Sequence, residues 1–349
     1  MQRTALIISP NWKDYAETYL ADCLASLEKQ TVRDWDLFLI DNETSEASFA
    51  LLQRLAPGAR IIRLETNEGF AGGNNAALRA AIREGYEDAF LLNMDTVAEP
   101  DCLKKLRAAA EDHPEAGAIQ ARLMLWPDTA RINSLGNLTH FLGFGFSDGY
   151  RESMMNRSLA VREIAYPSGA AVLLNLRALA AVGLFDEEMW MYNEDQDLGW
   201  RLWVAGFACL LAPEAVVYHK YEFSRSIKKY YWMDRNRIIA MIKNYRLATL
   251  VAIAPAFAVM EAGLILFSLK SGWFKEKMRV WKYFFSSRAW KKLIASRRTT
   301  QRLRARTDRQ VTRLFSGRIW YQEIDDVKLR LINPVFELYW KLVRLIMWW

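Results

Sequence analysis

The chain has 349 residues, enough for one large domain or two of medium size, and 52% of them are hydrophobic, which excludes a disordered polyelectrolyte. Its cysteines, Cys23, Cys102 and Cys209, lie far apart with no CxxC pair and no Cys/His metal spacing, so a disulfide scaffold and a zinc ribbon are excluded and reduced thiols are expected. The net charge of +7 conceals an asymmetry: residues 220–349 hold 28 Lys+Arg against 9 Asp+Glu, a net of +19, which leaves residues 1–219 at −12.

In chain order, Ala5–Ser9 reads as a strand ending at Pro10 and is too short for the apolar core of a leader peptide. Tyr15–Gln30 has helical spacing, and Trp35–Ile40 is a second strand ending at Asp41. Arg60–Leu64 is a third strand, followed by a glycine-rich turn and a helix over Asn75–Glu84. Ala89–Leu92 is a fourth strand running into Asn93-Met-Asp, and a helix follows over Pro100–Glu111. This alternation predicts an α/β fold with a doubly wound, mostly parallel sheet. Ligands of such sheets sit at the carboxyl ends of the strands, which here carry Pro10-Asn11, Asp41-Asn42, Asn67 to Asn74, and Asp95.

After Arg225 the pattern changes. Ile227–Tyr245 reads as an aromatic, basic helix. Ala248–Leu269 is apolar for 22 residues, broken by Pro255 and Glu261. Lys270–Arg318 carries 16 basic and 2 acidic residues, and Leu331–Trp349 is an apolar helix candidate ending in tryptophan. Eight of the fourteen tryptophans lie beyond residue 219. A catalytic domain over residues 1–224 and a helical, basic, membrane-associating region over 225–349 are therefore expected, with an anionic membrane surface as partner and no nucleic acid.

Several side chains carry chemistry. Asp95 at a strand end can hold Mg2+ or Mn2+, or can cap the following turn. Glu194, Asp195 and Asp197 precede a helix; one can serve as a cap, and three exceed what a cap needs, so a base for an attacking hydroxyl is a second reading. His219 ends an apolar run and is either structural or a metal ligand. The glycines of Asn67-Glu-Gly-Phe-Ala-Gly-Gly-Asn-Asn would let backbone approach a ligand, although the segment is neither GxGxxG nor a P-loop.

Taken together and in order, these segments resemble glycosyltransferase family 2, of GT-A fold, in its rhamnosyltransferase-like branch. Ile7-Ile-Ser-Pro-Asn-Trp is similar to its first strand and nucleotide turn, and Leu39-Ile-Asp-Asn-Glu-Thr-Ser to its second. The glycine-rich segment is close to the branch's NxGFAGGNN, and Leu92-Asn-Met-Asp-Thr stands where a variant DXD motif is found. Ser168-Gly-Ala-Ala, Val182-Gly-Leu-Phe-Asp-Glu, Tyr192-Asn-Glu-Asp-Gln-Asp-Leu and Val217-Tyr-His complete the series. The resemblance implies an inverting hexosyltransferase that uses a nucleotide-sugar donor, dTDP-rhamnose or a UDP-sugar, in polysaccharide biosynthesis. It implies Asp195 as base with Glu194 and Asp197 beside it, and Asp95 and His219 on a divalent metal. Pro10, Asn11, Asp41, Asn67, Gly69, Gly72, Gly73, Asn74 and Asn93 fall on the nucleotide side, and Ser168, Gly169, Ala170 and Trp190 on the acceptor side. Asn93 replaces the motif's first acid, leaving Asp95 alone to supply its carboxylate.

A single crossing by Ala248–Leu269 would separate the catalytic domain from the basic stretch, whereas both belong on the cytoplasmic side. An in-plane or re-entrant segment on the cytoplasmic face of the cell membrane is therefore expected, peripheral or monotopic, with Trp340, Trp348 and Trp349 at headgroup depth and a lipid-linked glycan as acceptor. The alternatives are a buried helix of a soluble domain for that segment, and a membrane or nucleic-acid binder on an inactive α/β scaffold for the whole chain.

Overall fold

The computed structural model of the protein describes residues 3–13, 15–155, 157–220, 227–319 and 327–349. Two compact units are present: Met1–Asn137, Ser147–Leu202 and Phe207–Glu222 form the first, and Leu138–Phe146, Trp203–Gly206 and Phe223–Trp349 the second. The expected boundary between residues 224 and 225 lies outside the described residues. Residues 138–146 and 203–206, which the charge pattern assigned to the first domain, lie in the second unit.

The first unit begins with β1 (Thr4–Ile8), α1 (Tyr15–Leu27), β2 (Trp35–Asn42), α2 (Glu46–Leu55), β3 (Arg60–Leu64), α3 (Gly69–Arg83) and β4 (Asp88–Leu92). β1 and β4 are buried along their whole length, which is why both read as unbroken apolar runs. β1 pairs in parallel with β2 and β4, and β2 with β3. Strand order thus reverses at β1, and a crevice opens beyond the carboxyl ends of β1 and β4. Then come β5 (Thr96–Ala98), α4 (Cys102–Asp112), β6 (Ala116–Leu125) and β7 (Ile132–Ser134). β8 (Asn137–His140) and β9 (Gly145–Ser147) join a separate small sheet, and β10 (Arg162–Glu163), β11 (Ala171–Asn175), α5 (Leu176–Val182), α6 (Glu194–Ala205) and β12 (Ala208–His219) follow. The large sheet runs β10-β12-β6-β11-β4-β1-β2-β3, with β5 on β12 and β7 on β6. β11 is antiparallel to both β4 and β6, so the parallel sheet continues across it to the parallel pair β6–β12.

The glycine-rich turn expected before α3 is instead the start of α3, which begins at Gly69 rather than Asn75. Glycines there are read from sequence as a break, yet these ones let the helix pack closely. A Cβ at Gly73 would stand 2.4 Å from Pro10 Cγ, and one at Gly69 would stand 2.4 Å from the Trp190 carbonyl oxygen. Gly69 also has φ +68°, which favours glycine.

The second unit contains α7 (Ile227–Asn244), α8 (Leu247–Lys270), α9 (Phe274–Phe284), α10 (Ser287–Arg302), α11 (Asp308–Val311), β13 (Phe315–Ser316) and α12 (Val327–Ile346). β13 runs parallel to β8. Among the described residues α8 is the one helix long and apolar enough to cross a bilayer, and 22% of its apolar window is buried. Its polar side chains Thr249, Glu261 and Ser268 turn inward, while Val251, Val259, Leu266 and Leu269 face outward. Glu261 pairs with Lys277 of α9 at 2.6 Å and with Arg237 of α7, and both cations also hold Asp234, Lys277 at 2.7 Å. This four-charge cluster is buried and formally neutral. α12 packs on α8 through the Tyr339 hydroxyl, which donates to the Ala252 carbonyl at 2.6 Å, and through the Trp349 indole, which donates to Thr249 Oγ1 at 2.8 Å. Trp340, expected at headgroup depth, is instead buried and stacks on Phe141 with ring centroids 5.0 Å apart; it lies on the inner face of α12, whereas Trp348 is exposed.

Lys277→Met leaves two buried carboxylates to share Arg237, and removing one partner of a buried pair costs about 3–5 kcal/mol. A clear fall in the thermal unfolding midpoint of the detergent-solubilised protein is expected. An unchanged midpoint would show that the cluster is not a stabilising element.

Candidate active site

The crevice is built from strand ends. Ser9, one residue past β1, donates its amide to the Leu92 carbonyl at 2.9 Å, and its hydroxyl accepts from the Met94 amide at 3.1 Å. The turn Asn93-Met-Asp95 is thereby fixed to the end of β1. Asp95 is buried at its tip. Its Oδ2 accepts from the Tyr15 hydroxyl at 2.7 Å, and its Oδ1 lies 3.3 Å from His219 Nε2 at the end of β12. Burial alone would raise the Asp95 pKa; the charge of His219 and the hydrogen bonds from His219 and Tyr15 outweigh it and lower the pKa. On the other ring edge, His219 Nδ1 is 2.9 Å from Asn133 Oδ1. Asp95 and His219, distant in sequence, are therefore brought together, whereas no group of three or more His, Cys, Asp or Glu suited to a metal occurs among the described residues. Two protein ligands, a buried carboxylate and an imidazole that face each other, fit a divalent cation that takes its other ligands from a diphosphate and water.

The acidic segment reaches the same crevice from the other side. Asp195, in the first turn of α6, accepts at Oδ1 from the Gln196 amide at 2.7 Å and at Oδ2 from the Gly169 amide at 3.3 Å. The next carbonyl, Ala170, accepts from the Asn93 amide at 2.8 Å. One short turn thus connects the carboxylate of Asp195 to the strand end that carries Asp95. Burial pushes the Asp195 pKa up to about 6, against the amides of Gln196 and Gly169. Glu194 is driven well above the usual carboxylate range by burial and by the charge of Asp195. Asp197 is placed differently: fully buried, it holds Arg201 at 2.8 Å, and Arg201 donates to the carbonyls of Val182, Gly183 and Leu184. It fastens that loop to α6.

The chain before α6 is strained. Trp190, Tyr192 and Asn193 have φ of 60°, 65° and 65°, a region costly for bulky residues and concentrated at functional sites. Trp190 holds the segment in place: its indole donates to the Asn67 carbonyl at 3.2 Å and its carbonyl accepts from the Ala71 amide at 3.1 Å. It ties the acidic loop to α3, a structural task in addition to its expected place on the acceptor side.

The expected nucleotide-side residues divide into two groups. Asp41 is buried at the end of β2, where Arg63 Nε lies 3.1 Å from it and Thr44 donates to it. Asn67 Oδ1 accepts from the Gly69 amide at 3.0 Å and the Asn42 side chain at 3.2 Å, and the Asn93 amide is held as described. Gly69, Gly72, Gly73 and Asn74, by contrast, are buried and pack α3 closely against its neighbours. Cβ atoms at the glycines would meet Trp190, Glu68 and Pro10. Asn74 donates to the Phe70 carbonyl at 2.8 Å. Asn11 is buried, with its side chain turned to the Ala16 amide at 3.0 Å and the Ser48 hydroxyl at 3.1 Å and its backbone bridged to β2 at Asp41. Sequence reasoning missed Tyr15, Asn133, Arg63 and Gln120, whose Oε1 accepts from the Ser168 amide at 2.7 Å. Each lies outside the motif segments, and none carries a sequence signal of its own.

Comparison with known proteins follows this geometry. The family profile described as "Glycosyl transferase family 2" matches residues 7–157, and that described as "Glycosyl transferase family group 2" matches residues 90–290. The chain is similar to N-acetylglucosaminyl-diphospho-decaprenol L-rhamnosyltransferase of Mycobacterium tuberculosis (strain CDC 1551 / Oshkosh), at 28% identity over 222 residues, covering 58% of this chain and 71% of that one. Its fold is similar to S. aureus TarS 1-349 in complex with UDP-GlcNAc, with a TM-score of 0.53 at 14% identity over 99% of this chain and 90% of that one. It is also similar to GalNAc-T7 with UDP, GalNAc and Mn2+, with a TM-score of 0.52 at 13% identity; that match covers 68% of this chain and 48% of the other. The second profile spans more than half of the chain, and the protein belongs to glycosyltransferase family 2.

Proposed function

We propose that the protein transfers a sugar from a nucleotide diphosphate donor to a hydroxyl of a lipid-linked glycan, with inversion, in cell-surface polysaccharide synthesis. The observation that carries this reading is the pairing of a half-buried carboxylate of raised pKa, Asp195, with the Asp95 strand end through the Gly169-Ala170 turn. The name of the relative from Mycobacterium tuberculosis supports a rhamnosyl donor and a lipid diphosphate acceptor, and the UDP-GlcNAc complex of the structural neighbour supports a UDP-sugar.

The donor diphosphate lies at the carboxyl ends of β1 and β4, with Asp41 and Asn67 toward its nucleoside and Asn93 at the strand-end turn. Asp95 and His219 hold a Mn2+ or Mg2+ ion, which when bound supplies positive charge against the diphosphate. Ser168 to Ala170 border the acceptor. Asp195 takes the proton of the acceptor hydroxyl as that oxygen bonds to the anomeric carbon and the nucleoside diphosphate departs from the opposite face. Glu194 orients Asp195 and keeps water from its buried side.

The second unit holds the enzyme at the anionic cytoplasmic face of the membrane. The outward side of α8 carries Val251, Val259 and Leu266, and that of α12 carries Val335, Leu338, Leu342 and Leu345, all exposed. Contiguous apolar surface of this kind marks a protein or membrane interface. On α9 and α10, Trp281, Phe285 and Trp290 stand exposed among Lys275, Lys282 and Lys291, a mixture suited to headgroups.

Asp195→Asn is expected to lower turnover by on the order of a hundredfold or more while donor binding measured by calorimetry stays near the wild-type value. The base must be ionised, so turnover is expected to rise as pH increases through about 6 and to level off above it. A profile flat through that range would reassign the base. Chelation with EDTA is expected to abolish transfer, and Mn2+ or Mg2+ to restore it; full activity in EDTA would remove the metal from the mechanism. In flotation assays the protein is expected to rise with vesicles of mixed neutral and anionic lipid, and a Val259→Glu/Leu338→Glu double variant to remain in the soluble fraction. Equal flotation of both would place the membrane contact elsewhere.

A further inference from the structure

Asn133 occupies an irregular place. β7 pairs with β6 so that Ser134 opposes Leu123 and Ile132 opposes Met124, with a register shift between Leu123 and Met124. The ladder thus skips Asn133, which sits as the extra residue of a bulge. Bulges re-aim side chains and are frequent next to active sites. This one points a buried amide at the imidazole of His219, Oδ1 to Nδ1 at 2.9 Å. His219 cannot shift its backbone to follow, because β12 pairs with both β5 and β6 at this residue. On the far side of the pair, the Tyr15 hydroxyl at the start of α1 donates to Asp95 Oδ2 at 2.7 Å and leaves Oδ1 toward His219 Nε2.

We propose that Asn133 and Tyr15 are positioning residues that set the state of the two ligands before a metal arrives. An amide oxygen on Nδ1 keeps a proton on that nitrogen, so that Nε2, which faces Asp95 Oδ1, is the nitrogen that gives up its proton when a metal binds. A hydroxyl donor on Oδ2 fixes the carboxylate so that Oδ1 is the ligating oxygen. Two ligands make a weak site, so preset orientation counts for more here than in a four-ligand site. Outer partners of this kind are worth about tenfold to a hundredfold in metal affinity.

This inference rests on the metal reading above, and the test separates the two. Free Mn2+ is followed by electron paramagnetic resonance during titration of the full chain with UDP or dTDP present, against nucleotide-only blanks. Wild-type protein is expected to bind Mn2+ beyond the blanks. Asn133→Leu is expected to weaken binding about tenfold to a hundredfold, Asn133→Asp, which keeps an acceptor on Nδ1, to stay within a few-fold of wild type, and Tyr15→Phe to fall between. A purely structural Asn133 would lower the melting temperature in both Asn133 variants without this split in affinity. Wild-type affinity in both Asn133→Leu and Tyr15→Phe overturns the inference and leaves the metal reading standing; wild-type protein that binds no better than the blanks overturns both. Tyr15→Phe removes a single hydroxyl, so the question is decided even where Asn133→Leu does not fold.

Discussion

The site depends on one short turn. Ser168 to Ala170 leads into β11, the strand that runs against its neighbours in the middle of the large sheet. Its Gly169 amide reaches the Asp195 carboxylate, and its Ala170 carbonyl reaches the Asn93 amide. Because β11 lies between β4 and β6, the turn that precedes it opens at the same edge as the end of β4. A parallel strand in this place would begin at the opposite edge, and the acidic segment would have nothing to hold it near Asp95. A Cβ at Gly169 would stand 3.0 Å from the Phe70 ring, so the turn also needs its glycine.

Around this turn the protein places cost where chemistry is wanted. Of a carboxyl pair, Glu194 is buried and Asp195 half-buried, and desolvation is the largest cause of both raised pKa values. Three large or polar residues before it sit in the left-handed region. The surroundings hold them there: Trp190 is fastened at both its indole and its carbonyl, and Arg201 collects three carbonyls from the loop after α5. Such a segment keeps its carboxylates in place without relying on their own hydrogen bonds, which leaves Asp195 able to change protonation.

The second unit applies the opposite arrangement. Along α8 the one acidic side chain, Glu261, is inside, while Val251, Val259, Leu266 and Leu269 are outside. Asp234, Arg237, Glu261 and Lys277 neutralise one another in the interior, so Glu261 does not oppose an apolar environment on the other face of the helix. Glu261, near the middle of α8, is thereby tied to Arg237 of α7 and Lys277 of α9.

Much of the first unit was legible from sequence because its strands are short, fully apolar and separated by helical spacing, and because polar residues mark the strand ends. Asp41, Asp95, Asp195 and His219 could each be named from residue type and place. The apolar character of residues 248–269 was legible as composition. Three things were not. The glycines of α3 read as a break, since a sequence does not tell whether a missing Cβ makes room for a ligand or for Pro10 and Trp190. Trp340 read as a surface anchor, since period and composition do not say which face of α12 meets Phe141. Asn133 and Tyr15 gave no signal, because their value lies in a bulge and a hydroxyl direction that exist only after β6, β7 and β12 have paired. Local pattern determined which segments are strands, helices and strand-end polar clusters; only tertiary pairing decided which side chains meet, because hydrogen bonds across 86 or 80 residues, as between His219 and Asn133 or Asp95 and Tyr15, are fixed by sheet register and not by anything adjacent in the chain.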